Sequence, residues 1–104
     1  MKLDISKICD KKTVTRDDGK KINEILTAEW EKQKEFTIDF DNILIASVSF
    51  MDEAFGSLAL KYSKEELQKK LRIEHILPYD KALLNDILVS RFRQKSHQSK
   101  QKNV

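Results

Sequence analysis

Between residues 36 and 58 the hydrophobic period changes from two to nearly four, which narrows the folds open to this chain. In "EFTIDFDN", Phe36, Ile38 and Phe40 alternate with Thr37, Asp39 and Asp41, the pattern of a strand with one face buried. Fifteen residues further on, Met51, Ala54, Phe55 and Leu58 recur at helical spacing, with Tyr62 continuing the same face. The intervening "ILIASVSF" is small and β-branched, and Ile43 to Val48 either extends the sheet or crosses over it. Ser49 precedes Asp52 by three, the spacing of a capping box, so a helix is predicted from about Phe50 to Tyr62.

The flanks repeat this alternation. "KLDISKI" reads as an opening strand, and Val14 as the arm of a second short one. Thr15 and Asp17 both suit the cap of a helix reaching about Lys32, whose apolar stripe is Ile22, Ile25, Leu26 and Trp30. Ser63 and Glu66 repeat the capping-box spacing ahead of a short helix. A strand follows through Leu71, Ile73 and His75 or Ile76, and Pro78 ends it, since proline donates nothing to a ladder. Asp80 is the expected cap of a last helix that buries Leu83, Leu84, Ile87, Leu88 and Phe92. Strands alternating with helices predict an α/β fold: a mixed sheet of about four strands with helices packed on it. At 104 residues there is room for one such domain.

The net charge of +3 is unevenly placed. Residues 91–104 hold five Lys/Arg and no acid, so the first 90 carry 15 basic against 17 acidic groups, a net of −2. The expectation is a domain over residues 1–92 and a basic tail, residues 93–104, too poor in apolar side chains to order itself. Nucleic-acid binding would rest on that tail, with Phe92 its one flanking aromatic. The single cysteine, Cys9, permits no internal disulfide. His75 and His97 lack ligand spacing, so neither metal nor cofactor is expected. "MKLDISKICDKK" has no leader-type apolar core, and no run approaches the roughly 20 apolar residues of a spanning helix, so a cytoplasmic protein is expected, away from membranes.

Asp39, Asp41, Asp52 and Glu53 gather four carboxylates in fifteen residues, near Ser47 and Ser49. Together with His75 they are the residues a hydrolase or cation site would draw on. No histidine is near in sequence to act as base, and "DDGKK" lacks the spacing of a phosphate loop. Helix caps and solvated acids account for the same residues, and no enzymatic activity is expected.

The stretch "DFDNILIASVSFMDEAFGSL" resembles the STAS-like family described as a domain of unknown function. There a strand ends in an Asp-Phe pair, and a Ser-Phe-x-Asp-Glu segment opens a helix, as Ser49, Phe50, Met51, Asp52 and Glu53 do here. The resemblance covers roughly residues 14 to 92. It extends to the STAS domains of bacterial anti-sigma-factor antagonists, in which a serine at the start of the helix is phosphorylated by a partner kinase. At the matching positions this chain has Glu53 and Ala54, with Phe55 in place of glycine. Ala54 has no hydroxyl, and Glu53 offers one charge where phosphoserine carries about 1.5 to 2. An acid in the first helical turn also suits the helix dipole. The resemblance therefore implies the fold and the interaction surface without the phosphorylation switch. It implies a non-enzymatic signalling or adaptor domain that binds a protein partner, a GHKL-type kinase or anti-sigma-like ATPase. The partner surface it implies is Ser47, Ser49, Asp52, Glu53 and Phe55, at the start of the central helix. The alternative is a nucleic-acid-associated accessory protein acting through the basic tail.

Overall fold

The computed structural model describes the backbone of residues 1–102 and the side chains of residues 1–96. Three strands, β1 (Lys2–Asp4), β3 (Phe36–Asp39) and β5 (Leu71–Glu74), form a sheet of order β1-β3-β5 in which both pairings are parallel. Leu3, Ile38 and Ile73 share one rung, and Asp4, Asp39 and Glu74 the last. Two further strands, β2 (Thr13–Val14) and β4 (Ile45–Ala46), pair in parallel with each other as a separate ribbon. The α/β class is as expected; the mixed sheet of about four strands is corrected to two parallel sheets, of three strands and two. Each strand of the larger sheet reaches the next through a helical crossover, which returns the chain in the same direction. Between β3 and β4 the chain turns away instead. Asp41 N–H donates to the Asp39 carboxylate at 2.9 Å, and Asn42 takes a left-handed φ of 66°. Residues 43–48 therefore leave the sheet, which decides between the two alternatives open in the sequence.

The opening segment is also corrected. Asp4 ends β1 and caps a helix, α1 (Ile5–Cys9), its carboxylate accepting from Lys7 N–H at 3.3 Å and Ser6 Oγ at 2.9 Å. The helix places Ile5 and Cys9 in the core, which a strand continued through residue 8 would not do. Helix α2 (Arg16–Glu29) starts at Thr15, whose N–H donates to Asp18 at 2.9 Å; Asp17 stays exposed. Ile22, Leu26 and Trp30 of this stretch are buried as the periodicity required. Trp30 stacks on Tyr62 with ring centres 4.3 Å apart and on Phe36 at 5.6 Å, joining the end of α2 to the sheet and the end of the central helix.

That central helix runs in three pieces: α3 (Val48–Met51), a π-helical turn (Asp52–Gly56) and α4 (Ser57–Lys61). Short α5 (Lys64–Lys70) is capped by Ser63, which accepts from Glu66 N–H at 3.1 Å as its spacing predicts. Helix α6 (Pro78–Lys102) begins at Pro78, where the missing N–H costs nothing. Asp80 is thus in its first turn rather than at its cap, and burial there pushes its carboxyl pKa up. The backbone of residues 93–102 continues α6, where composition led us to expect no order; the side chains of Lys100 and Lys102 lie outside the described residues. No helix among the described residues is long and apolar enough to cross a membrane. One core joins sheet and helices, with α2 packed along the central helix and α6 against its second half.

Candidate functional site

The start of the central helix is set by burial. Phe50 and Met51 are both fully buried, so the first turn must begin at Val48 and the cap falls on Ser47. Ser47 Oγ accepts from Phe50 N–H at 3.0 Å. The cap expected at Ser49 is thereby corrected: Ser49 sits inside the first turn, half-buried, and its hydroxyl accepts from Arg16 Nη2 at 3.4 Å. Asp52 does not reach back toward a cap either. It meets Arg91 of α6 side-on, with Nε at 2.8 Å from Oδ1 and Nη2 at 2.5 Å from Oδ2. This bidentate geometry is the strong form of an Arg–carboxylate pair, and the Asp52 hydrogen bond pushes the Arg91 pKa up. Glu53 faces Arg16 Nη1 at 3.6 Å. Arginines from α2 and α6 thus compensate both acids that open the π-helical turn, and Glu53 does not present the lone negative charge of a phosphoserine mimic.

The π-helical turn follows directly. Widening the helix to i→i+5 bonding displaces carbonyls from their usual partners. Asn23 of α2 donates to Ala54 O at 3.2 Å, while Ser57 Oγ donates to Glu53 O at 2.7 Å. Gly56 ends the turn; a Cβ there would lie 2.4 Å from Asp52 Oδ1 and 3.1 Å from Ile87 Cγ2. Glycine at 56 therefore leaves room for the Asp52–Arg91 pair and for α6. The signal in the sequence was a glycine inside an otherwise helical pattern.

Phe55 is corrected as a surface residue. Its ring is fully buried, 6.2 Å from Phe50 in an edge-on contact and 6.3 Å from Phe40. The apolar groups that are presented lie just before the helix: Leu44 is 67% exposed, Ile45 59% and Val48 58%. Sequence reasoning missed them, although "ILIASV" offers more apolar side chains than a two-residue strand can bury. Of the five anticipated residues, Ser47, Ser49, Asp52 and Glu53 are partly accessible, and Ser47 and Ser49 flank Val48 in sequence.

The four carboxylates do not converge. Asp39, 4% exposed at the end of β3, accepts from or pairs with His75 Nδ1 at 2.8 Å and lies 3.5 Å from Lys2 Nζ. Asp52 is taken by Arg91, and Glu53 by Arg16. Among the described residues no three His, Cys, Asp or Glu side chains gather as ligands would.

Burial pushes the Asp39 carboxyl up, but the Asp41 N–H and His75 outweigh it and hold its pKa below the usual value. The same hydrogen bond raises His75 above its usual value. The stability contributed by His75 is then complete below about pH 6.5 and is lost as pH rises through its raised folded pKa. That of Asp39 is complete above about pH 3.9 and is lost as pH falls through its depressed one. An NMR titration of His75 should give a midpoint above 6.5 that falls toward it in Asp39→Asn. A midpoint unmoved by that substitution would mean the pair is not formed.

A family model described as a STAS-like domain of unknown function (DUF4325) matches residues 18–81. No curated protein and no solved structure matches the chain. The matched span runs from the start of α2 to the first turn of α6, taking in β3, the whole central helix and β5. This chain belongs to the STAS-like family of unknown function.

Proposed function

We propose that this STAS-like domain is a non-enzymatic signalling or adaptor module whose partner, a GHKL-type kinase or anti-sigma-like ATPase, seats on the N-terminal end of the central helix. The observation that carries the reading is the exposed trio Leu44, Ile45 and Val48 beside Ser47, Ser49 and Glu53. Exposed apolar side chains clustered beside polar ones are the usual make-up of an interface centre and its rim. Covering them would release about 1–2 kcal/mol each, since each is already partly shielded. A hydrogen bond from Arg16 to Ser49 and the Arg16–Glu53 and Arg91–Asp52 ion pairs restrain these side chains, which reduces the ordering that would oppose binding. Ala54 is buried and has no hydroxyl, and the Ser47 hydroxyl is engaged as a cap, so the reading includes no phosphorylation gate at the familial position.

The test compares affinity capture by wild type with capture by Leu44→Asp/Val48→Asp, two exposed positions, with the variant's fold checked by circular dichroism. An ATPase retained by wild type and bound at least about tenfold more weakly by the variant in titration calorimetry is the expected result. The same proteins captured by both, or nucleic acid alone with both, would overturn the reading and turn attention to the basic end of α6.

A further inference from the structure

We infer that the trough between β5, α5 and α6 is a second docking site, one that takes an acidic amphipathic segment of a partner chain. The trough has a volume of about 620 Å³. One wall is β5, where alternation puts Leu71 and Ile73 on the same side; the facing wall is the Leu84–Leu88 stripe of α6. Phe55 and Leu67 reach it from the central helix and α5. It stays open for a structural reason. Helix α6 packs on α4 and the π-helical turn, held there by the Arg91–Asp52 pair, and so stands off from the last strand of the sheet. Leu71, Ile73 and Leu88 are consequently only partly covered, and Val89 at the rim is 48% exposed.

Charge selects the occupant. Lys64, Lys81 and Arg93 line the trough, and among the described residues that line it there is no carboxylate. Lys81 and Arg93 are twelve residues apart on one helix, about 18 Å along its axis. A single-headed anionic amphiphile would satisfy one end only. A peptide with apolar residues on one face and carboxylates toward both ends satisfies the whole length, and a helix laid in a groove is an established way to achieve it. This surface is separate from the Leu44–Val48 patch, and the inference does not depend on that patch having a partner.

The probe is a phage-displayed library of random peptides about 16 residues long, long enough to span the trough as a helix. Peptides enriched on the wild-type protein should be acidic, with apolar residues at helical spacing. Their affinity should fall by about tenfold or more on Val89→Glu, and on Lys81→Glu/Arg93→Glu, while Leu44→Asp leaves it unchanged. Enrichment of basic or non-amphipathic peptides, binding indifferent to the trough variants, or no enrichment at all would each overturn the inference. So would palmitate binding in the trough in place of any peptide, or a homodimer in sedimentation equilibrium that Val89→Glu dissociates.

Discussion

Phe55→Ala is expected to lower the unfolding free energy by about 3–5 kcal/mol, the range for removing a buried aromatic ring. The ring is fully buried and touches the aromatic pair Phe40 and Phe50, one from the strand side and one from the turn above. Its position in the π-helical turn leaves the surrounding backbone little freedom to collapse into the space, because Asn23, Ser57 and the Arg91–Asp52 pair hold that turn from three directions. For a domain whose whole stability is about 5–15 kcal/mol, the loss would bring the midpoint of urea unfolding close to zero denaturant in the less stable part of that range. A partner-contact residue behaves otherwise: its removal weakens binding and leaves unfolding almost unchanged. A urea curve for Phe55→Ala within about 1 kcal/mol of wild type would therefore return Phe55 to the docking surface.

Gly19→Ala tests the helix crossing, and there the sign is the informative quantity. In an open helix the change would stabilise by about 0.5–1 kcal/mol, because alanine loses less backbone entropy on folding. At this position a Cβ would stand 2.7 Å from Phe50 O, 3.0 Å from Glu53 Cβ and 3.2 Å from Phe50 Cα. Two of those three atoms are backbone of the central helix, so relief requires one helix to move against the other. Overpacking of this kind costs about 1–3 kcal/mol, which exceeds the propensity gain. A net loss of stability is the expected result by thermal or urea denaturation. A net gain would show that α2 and the central helix do not approach so closely.

Local pattern foretold most of the elements. The alternation of Phe36, Ile38 and Phe40 marked β3, and the stripe Ile22, Leu26 and Trp30 marked α2, because both are short-range consequences of one buried face. Ser63 was recognisable as a cap because nothing but its own helix competes for its hydroxyl. Ser47 was not, because two serines stood at capping positions two residues apart. The choice between them depended on Phe50 and Met51 both entering a core that the rest of the chain builds. Asp4, unmarked as a cap in the sequence, and Asp80, marked as one, show the same dependence on context. One carboxylate caps a helix hidden inside an apparent strand, and the other is drawn inside a helix that starts at a proline.

The candidate site was legible in place but not in detail. Ser47 and residues 49–55 were identified by their likeness to a familial turn; four of the five anticipated side chains are partly accessible, and Phe55 is buried. What pairs with them was not legible. Arg16 and Arg91 come from helices 33 to 39 residues away in sequence, a separation no periodicity reports. The direction of the sheet, the departure of residues 43–48 from it, the burial of Phe55 and the opening of the trough beside β5 have the same origin. Each depends on which elements meet. By itself the sequence determined the order of strands and helices, the family and the residues most of these elements bury, because hydrophobic period and capping chemistry act over a few residues. Only the tertiary structure decided which of those residues became surface, because exposure is set by partners that lie far along the chain.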